Sequence, residues 1–331
     1  MKSCITGVSG FVASHLATYL LEQGETVIGT FRWNEDLSRI EHLKDKVVMV
    51  PMDLLDLPSC IRCIEEHRPD YIYHLAAQSY VPDSYIYPVQ TIMTNTIGTL
   101  NLLEAVREER DTPYRFPLST VAYYDPTIGV CSSSEVYGQV DKTEIPIKET
   151  QPFRPQNPYG VGKAGADLLG YMYWKCYDLK IIRMRPFTHT GYGRTMPSFE
   201  SSVAHQIALI EKRLQEPVVK VGYLDSMRTI ADVRDVVRAY YLMMRKCRPG
   251  EVYNIGGDNV MKVGDVVDYL IALSPMKDKI KIEVDPKLLR PADVPLQIVD
   301  TSKFREETGW KPEISFECTM ADLLSFWRER V

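Results

Sequence analysis

A turn containing two glycines follows the first predicted strand and opens the first predicted helix, and this arrangement limits the possible folds of the chain most strongly. The apolar letters SCIT precede the turn TGVSGFVA, and helical periodicity runs from Phe11 to about Gln23. Gly7 and Gly10 permit a tight turn, and the free N–H groups and positive dipole end of the helix favour a bound pyrophosphate. The order of strand, glycine turn and helix therefore predicts a dinucleotide-binding α/β fold.

Strand-like and helix-like segments go on alternating through the first half of the 331 residues. Further strands are predicted at TVIGTF, VVMV, YIYHLA, GVCSS and KIIRMRPF, with helices near 59–67 and 88–109 and from NPYGVGK onward. This rhythm predicts an α/β fold with a doubly wound parallel sheet of the Rossmann type. Past Pro186 short mixed segments take over. We therefore expect residues 1–186 to form mainly an NADP-binding domain and residues 187–331 mainly a smaller mixed lobe for the substrate, with some exchange of segments.

One segment, residues 111–127, fits neither pattern. Its letters DTPYRFPLSTVAYYDPT hold four tyrosines and phenylalanines among three prolines. Long loops of this kind tend to be functional or to form interfaces. We expect a structured excursion there, and its role stays open.

Charge and cysteine content argue against several classes of protein. The formal net charge of −5 argues against a nucleic-acid partner, which would need a basic patch. No apolar run approaches the roughly 18 residues of a membrane span. Seven cysteines at irregular spacing indicate a reducing compartment, and the pair Cys60 and Cys63 has no partner motif for a metal. The letters MKSCITGVSG reach glycine too early for a signal-peptide core, so we expect a cytoplasmic protein.

The residues after the second predicted strand bear on the choice between NADP and NAD. A carboxylate there accepts the ribose hydroxyls of NAD, whereas an arginine accommodates the 2′-phosphate of NADP. The letters GTFRWNED place Arg32 near this point, before Glu35 and Asp36. NADP is therefore favoured, with NAD as the alternative. Asp53, at the end of the third predicted strand, is expected to hydrogen-bond the adenine amino group.

The letters QNPYGVGK predict a catalytic pair at the start of a helix. Asn157 is a candidate N-cap, and Tyr159 and Lys163 lie four residues apart on one helical face. A nearby ammonium group and a positively charged nicotinamide favour the phenolate, which makes tyrosine a usable acid and base for alcohol–ketone interconversion. A second such pair, Tyr171 and Lys175, lies roughly 120° round the same helix and is assigned to packing.

The stretch CSSSEVYG adds a carboxylate at the same edge of the predicted sheet. Ser133 is expected to hydrogen-bond both Tyr159 and a substrate hydroxyl, and Glu135 points to the same side of an extended chain. A simple dehydrogenase needs the serine, the tyrosine and a lysine, but not the glutamate. A carboxylate becomes useful when a ketone acidifies a neighbouring C–H. The stretch therefore indicates proton abstraction beside a newly formed ketone.

Together these motifs resemble a known family. The turn formed by Gly7, Gly10 and Ala13, with HLAAQS, SSSEVYG and PYGVGK, resembles the extended short-chain dehydrogenase/reductases that act on nucleotide sugars. The stretches RPFTHTG, VGYLDSMRTIADVRD and LRPADVP carry the resemblance over nearly the whole chain. Within the family the chain is similar to the GDP-mannose 4,6-dehydratases and the related GDP-4-keto-6-deoxymannose reductases.

The resemblance implies a redox-neutral dehydration with NADP as cofactor and a nucleotide sugar as substrate. Tyr159, assisted by Ser133 and Lys163, would take the C4 hydroxyl proton while hydride leaves C4. Glu135 would remove the C5 proton, water would leave from C6, and the hydride would return to C6. A homodimer through the helices near 88–109 and 158–178, or a tetramer built from it, is implied as well.

The resemblance also implies which residues contact each ligand. The cofactor contacts are expected to be Gly7, Gly10, Phe11, Val12, Arg32, Asp53, Leu54, Leu75, Ala76, Ala77, Tyr159 and Lys163. The substrate contacts are expected to be Ser79, Ser134, Arg185, Thr188, Arg228 and Arg290.

Other functions share most of these motifs. A 4-keto reductase of the same family shares every motif and can also keep the Ser-Glu pair, so Glu135 favours dehydration without excluding reduction. An epimerase also moves protons beside a 4-keto group. A non-catalytic NADP-binding regulator would be expected to lose Tyr159 or Lys163, and both are present. Thr188, Tyr192 and Tyr223 depart from the dehydratase pattern near the sugar-nucleotide pocket, so the sugar and the base stay open.

Overall fold

The computed structural model describes residues 1–115, 123–196, 198–289 and 294–331. Strands and helices alternate through the first half, as predicted. The strands of this half are β1 (Lys2–Thr6), β2 (Thr26–Phe31), β3 (Val47–Pro51), β4 (Tyr71–His74), β5 (Thr127–Cys131) and β6 (Lys180–Pro186). Its helices are α1 (Phe11–Glu22), α2 (Leu57–His67), α3 (Val81–Ile86), α4 (Pro88–Ile92), α5 (Gly98–Arg115) and α6 (Pro158–Tyr177).

The second half is less regular, as its mixed sequence pattern indicates. Its strands are β7 (His189–Thr190), β8 (Val218–Val221), β9 (Met227–Asp232), β10 (Val252–Ile255), β11 (Asn259–Lys262), β12 (Lys281–Val284) and β13 (Leu296–Gln297). Its helices are α7 (Phe199–Glu211), α8 (Val233–Lys246), α9 (Val263–Ala272), α10 (Ser302–Thr308) and α11 (Phe316–Arg328).

Within the described residues, seven parallel strands form the main sheet in the order β3-β2-β1-β4-β5-β6-β10. The strand order reverses at β1, so the crossovers place helices on both faces. The predicted α/β class with a doubly wound parallel sheet is confirmed. Because all seven strands run in one direction, their carboxyl ends meet at one edge, where this kind of sheet binds ligands.

Apolar side chains cover both faces of the main sheet. On one face α1 packs against α8, with Leu16, Leu20 and Tyr240 fully buried. On the other face α2, α5 and α6 bury a second cluster. Cys60 and Cys63, the pair from the C-x-x-C letters, lie buried in this second cluster. The described residues hold no group of His, Cys, Asp and Glu side chains suited to a metal ion.

A smaller lobe lies beside the carboxyl edge of the main sheet. In it β9 pairs with β11, β13 and β7, and β8 pairs with β12. Helices α7, α9 and α11 cover these strands with a separate apolar cluster. The chain crosses between the two parts more than once, because β10 joins the main sheet beside β6. None of the helices in the described part of the chain has both the length and the apolar content to cross a bilayer.

Two predicted segments differ in the structure, one helix and the excursion over 111–127. The helix predicted over 88–109 consists of α4, a π-helical turn at Met93–Ile97, and α5. Within this turn the buried Asn95 exchanges two hydrogen bonds with the backbone of Gln78, in the loop after β4. The predicted excursion over 111–127 begins as the end of α5 and finishes in β5, and its residues 116–122 lie outside the described part.

Candidate active site

The end of β5 presents the predicted serine and glutamate. Ser133 has extended backbone angles (φ −165°, ψ 157°), and its Oγ accepts a hydrogen bond of 3.2 Å from the backbone N–H of Glu135. This bond begins a 3₁₀ turn over Ser134–Val136. The turn stops the strand at the sheet edge, so the Ser133 hydroxyl and the Glu135 carboxylate stay beside each other.

The start of α6 brings the tyrosine to the same place. The side chain of Asn157 caps the helix by accepting a 2.7 Å hydrogen bond from the N–H of Gly160, and Pro158 occupies the first turn. A Cβ at Gly160 would lie 2.8 Å from the carbonyl oxygen of Glu135, so glycine permits this close approach. The first turn of α6 therefore packs directly on the turn that carries Glu135.

Tyr159 and Lys163 form the predicted pair. The Tyr159 hydroxyl interacts with Ser133; burial raises the pKa of Tyr159, and the hydrogen bond to Ser133 opposes that rise. Lys163 is 5% exposed, and burial lowers the pKa of its ammonium group. Its Nζ donates a 2.7 Å hydrogen bond to the carbonyl oxygen of Cys131. The geometry thus brings Ser133, Tyr159 and Lys163 together, as the sequence predicts.

The Glu135 carboxylate is held by two neutral side chains. Its Oε2 accepts a 2.7 Å hydrogen bond from Nδ2 of Asn157, and its Oε1 accepts a 2.8 Å hydrogen bond from Nε2 of Gln297. Gln297 lies on β13, more than 160 residues further along the chain. No motif pointed to Gln297, because its position depends on a two-residue strand.

The glycine turn has the geometry expected of a phosphate-binding turn. Gly7 has φ +70°, and a Cβ there would lie 3.0 Å from the Cα of Ala76, at the carboxyl end of β4. Gly10 precedes α1 and gives its first turn no side-chain cap. The remaining predicted cofactor residues border this turn or follow β3 and β4: Phe11 and Leu54 are buried, whereas parts of Val12, Leu75, Ala76 and Ala77 stay exposed.

A buried histidine supports this turn from below. Thr6 Oγ1 accepts hydrogen bonds from the N–H groups of Leu75 and Ala76, so its own proton goes to Nδ1 of His74 at 2.9 Å. Nε2 of His74 then donates to Thr99 at 2.9 Å. Burial, aided by the charge of Lys163, lowers the pKa of His74 to about 3. The neutral ring therefore links Thr6 on β1 to Thr99 on α5, and Thr6 in turn holds the loop that faces Gly7.

A cavity of about 410 Å³ lies where the second and third strands end. It is lined by Arg32, Trp33, Asn34, Glu35, Pro51, Met52, Asp53 and Ser59. A tight turn closes over residues 32–35, because the N–H of Glu35 bonds the carbonyl of Arg32 and Asn34 has φ +69°. The indole of Trp33 is 78% exposed beside this cavity. Predicted residues Arg32 and Asp53 thus share one pocket, which suits a phosphorylated adenosine.

The loop after β7 covers the start of α1 from the other side. The guanidinium of Arg194 lies 5.0 Å from the ring centre of Phe11, and the carbonyl of Tyr192 bonds Nε2 of His15 at 2.8 Å. The carbonyl of Gly193 accepts a hydrogen bond from Arg39. A cation is therefore held over the first turn of α1, next to the glycine turn. The sequence prediction missed Arg194, since no spacing rule connects this loop to α1.

Arg185, predicted to contact substrate, is bound by protein groups in the structure. It is 4% exposed and makes a two-pronged salt bridge with Asp167, with N–O distances of 2.7 and 3.0 Å. Its Nη1 also donates to the hydroxyl of Tyr137 and to the carbonyl of Glu149, both at 2.9 Å. Protein groups thus occupy four of its five N–H donors, an arrangement typical of a structural arginine.

The other predicted substrate residues occupy varied positions. Arg228 lies on β9 and pairs in register with Gln297 on β13, which places it one strand away from the Glu135 carboxylate. Thr188 is partly exposed just before β7, Ser79 is exposed after β4, and Ser134 is buried in the turn after β5. Arg290 lies outside the described residues.

A second cavity, of about 420 Å³, lies in the smaller lobe. Its lining includes Tyr223, Asp265 and Leu289 and none of the predicted catalytic residues. The predicted serine, tyrosine, lysine and glutamate lie instead at the sheet edge.

Comparison with known proteins shows the family to which this chain is related. The family model for GDP-mannose 4,6 dehydratase matches residues 4–323. The GDP-6-deoxy-D-mannose reductase of Pseudomonas aeruginosa is 31% identical over 329 residues, covering 99% of this chain and 97% of the reductase. The GDP-mannose 4,6-dehydratase of Yersinia enterocolitica is 31% identical over 363 residues, covering 98% of this chain and 93% of the dehydratase. The solved structure of RMD from Pseudomonas aeruginosa complexed with NADPH has a TM-score of 0.80 at 30% identity and covers 100% of this chain and 99% of its own.

Proposed function

This chain belongs to the GDP-mannose 4,6-dehydratase family, and we propose that it converts GDP-mannose to GDP-4-keto-6-deoxymannose with NADP as a transient hydride carrier. The single observation that carries the proposal is the placement of the Glu135 carboxylate. It lies beside Ser133 and is held by two neutral amides, Asn157 and Gln297. A simple ketone reduction has no use for a base in that position.

The first part of the proposed reaction is oxidation at C4. Tyr159 takes the proton of the C4 hydroxyl, and the hydroxyl of Ser133 hydrogen-bonds the same oxygen. The ammonium group of Lys163 favours the phenolate of Tyr159. When bound, the nicotinamide accepts the hydride from C4 and later supplies one to C6. The chain's own groups therefore move only the proton in this part.

Glu135 then takes the C5 proton, which the C4 ketone has made acidic. The C5–H bond breaks, its electron pair forms the C5–C6 double bond, and the C6 hydroxyl leaves as water with a proton supplied from the site. Once hydride has been added to C6, Glu135 returns its proton to C5. Asn157 and Gln297 bind one lone pair on each carboxylate oxygen, so each oxygen keeps a second lone pair for the transferred proton.

NADP fits the residues that are present. The Gly7 turn and the first turn of α1 suit a pyrophosphate, and Arg194 lies over that turn. Arg32 is the cation of the adenosine pocket and would hold the 2′-phosphate, a role that guanidinium geometry serves well. The structural relative from Pseudomonas aeruginosa was solved with NADPH, which supports this choice.

We propose a homodimer formed by α4 and α6. These two helices pack side by side. Their outer surface exposes large apolar side chains, including Val89 at 75%, Leu168 at 59% and Tyr171 at 44%. Large apolar side chains exposed on adjoining helices are typical of a protein interface. The position of Tyr171 on this surface also accords with its assignment to packing.

The test is mass spectrometry of GDP-mannose incubated with purified protein and trace NADP⁺. We expect loss of the mass of one water from far more substrate than there is cofactor. Glu135→Gln should lower the rate of water loss about 10²-fold to 10⁴-fold while reduced nicotinamide still forms. Full dehydration by Glu135→Gln would contradict the role given to this residue.

The reductase relative supports a second candidate. The Pseudomonas aeruginosa GDP-6-deoxy-D-mannose reductase matches this chain over 97% of its own length. If GDP-mannose is unchanged and NADPH is consumed when a 4-keto-6-deoxy sugar nucleotide is supplied, the chain is a reductase.

A further inference from the structure

The two hydrogen bonds to Glu135 come from different parts of the molecule. Asn157 belongs to α6 on the main sheet, and it fixes Oε2 while its own Oδ1 caps the helix that carries Tyr159. Gln297 belongs to the smaller lobe and fixes Oε1. The carboxylate therefore bridges the catalytic helix and the lobe that carries Arg228.

The chemical type of these donors matters for a base. A lysine or arginine at 2.8 Å would stabilise the ionised carboxylate strongly and make it reluctant to take a proton. An amide orients the carboxylate through a hydrogen bond without adding a charge. Both of the donors seen here are amides, so they direct Glu135 and leave it able to accept a proton.

The strand that carries Gln297 also lies next to the predicted diphosphate contact. In the parallel pair of β13 and β9, Gln297 stands opposite Arg228. The N–H of Met227 bonds the carbonyl of Pro295, which ties the two strands at their starts. Gln297 is 3% exposed, so its side chain has little freedom to leave Glu135. A shift of β9 would therefore move β13, and through Gln297 the carboxylate of Glu135.

We propose that Gln297 is a positioning residue that holds Glu135 in the geometry for C5 proton removal and connects it to the strand of Arg228. This inference rests on the proposed dehydratase function. It assigns the reaction a residue from the smaller lobe, beyond the serine, tyrosine, lysine and glutamate already described.

The test compares three substitutions of Gln297 with a matched control. Gln297→Leu removes the donor at similar volume, and Gln297→Asn keeps the amide but shortens its reach. The control is Gln206→Leu on α7, where the amide bonds the backbone of Lys220 and the side chains of Ser202 and Gln215, none of which belongs to the site. Each protein is assayed with GDP-mannose for kcat, KM, melting temperature and the amount of reduced nicotinamide at steady state.

We expect Gln297→Leu to lower kcat about 10-fold to 100-fold, the effect of losing a hydrogen bond to a charged group, with KM within about threefold. The kcat of Gln297→Asn should lie between the kcat of Gln297→Leu and that of the wild type. Because C4 oxidation does not use Glu135, reduced nicotinamide should accumulate in both variants. Gln206→Leu should lower the melting temperature and leave kcat and reduced nicotinamide unchanged.

Gln297→Glu provides a readout that a merely structural role would not move. A second carboxylate beside Glu135 opposes ionisation of the pair, so the acid limb of the kcat profile should move to higher pH by about one unit. The pH profile of Gln297→Glu still tests the proposal if Gln297→Leu fails to fold.

The outcomes separate the two proposals. If the wild type loses no water from GDP-mannose, the dehydratase function fails and the positioning role fails with it. If the wild type dehydrates GDP-mannose but the Gln297 variants keep its kcat, its pH profile and its low level of reduced nicotinamide, only the role of Gln297 is overturned.

Discussion

Asp167→Asn is a direct test of the finding that Arg185 is a structural residue. Asp167 is fully buried on α6 and accepts three hydrogen bonds, two from Arg185 at 2.7 and 3.0 Å and one from Arg183 at 3.1 Å. Asparagine has nearly the same shape, but its amide nitrogen cannot accept a hydrogen bond. The substitution therefore leaves two largely buried guanidinium groups facing a donor, without a compensating charge.

The expected cost follows from that geometry. Breaking a buried ion pair by neutralising one partner costs about 3 to 5 kcal/mol, because the other charge stays buried and unpaired. For 331 residues, an unfolding entropy of roughly 2.1 cal/mol/K per residue gives about 0.7 kcal/mol/K. The melting temperature should therefore fall by about 4 to 7 °C.

The assay is thermal unfolding followed by circular dichroism, with KM for GDP-mannose measured well below the transition. KM should stay within about threefold of the wild type, since Arg185 keeps its bonds to Tyr137 and Glu149. Asp258→Asn is the control, because Asp258 is 63% exposed in its pair with Arg305 and such pairs contribute about 1 kcal/mol at most. A melting temperature equal to that of the wild type would refute the reasoning about stability. A KM raised tenfold would refute the structural role given to Arg185.

Three further predictions concern the cofactor, the catalytic base and the subunit contact. Arg32→Ala should weaken binding of 2′,5′-ADP at least tenfold and leave 5′-AMP within about threefold, measured by calorimetry; equal loss for both ligands would exclude a 2′-phosphate contact. Burial raises the pKa of Tyr159, so its phenol is protonated at neutral pH in the free enzyme and kcat/KM should rise toward alkaline pH. Tyr159→Phe should lose about 10²-fold to 10⁴-fold in rate together with that rise, and a pH-dependent activity that survives in this variant would assign the base elsewhere. Leu168→Glu places a charge on the exposed apolar surface of α6 and should convert the proposed dimer to a monomer in sedimentation experiments, whereas a dimer unchanged by the substitution would contradict an interface at α6.

The predicted residues that the structure brings together are those whose placement depends on local chain geometry. Tyr159 and Lys163 are one helical turn apart, and Ser133 and Glu135 are two residues apart at the end of a strand, so period and spacing suffice. The glycine turn is local in the same way. These groups reach one edge because the parallel sheet brings the carboxyl ends of its strands together.

The contacts that the sequence did not predict depend on pairing between distant segments. Gln297 reaches Glu135 only because a two-residue strand pairs with β9. Arg185 is held in a salt bridge by Asp167, which lies 18 residues earlier on another element. Arg194 reaches Phe11 through a loop. Neither hydrophobic period nor motif spacing encodes such long-range contacts.

The position of β10 has a consequence for the synthesis of the chain on the ribosome. The first six strands emerge early, yet the main sheet lacks its edge strand until residues 252–255 appear. The apolar surface of α1 likewise stays uncovered until α8 has been made. The nascent N-terminal half thus carries an open strand edge and an exposed apolar face for most of translation, and such surfaces are the ones that chaperones bind. The enzyme becomes a finished fold only when more than three quarters of its length has been translated.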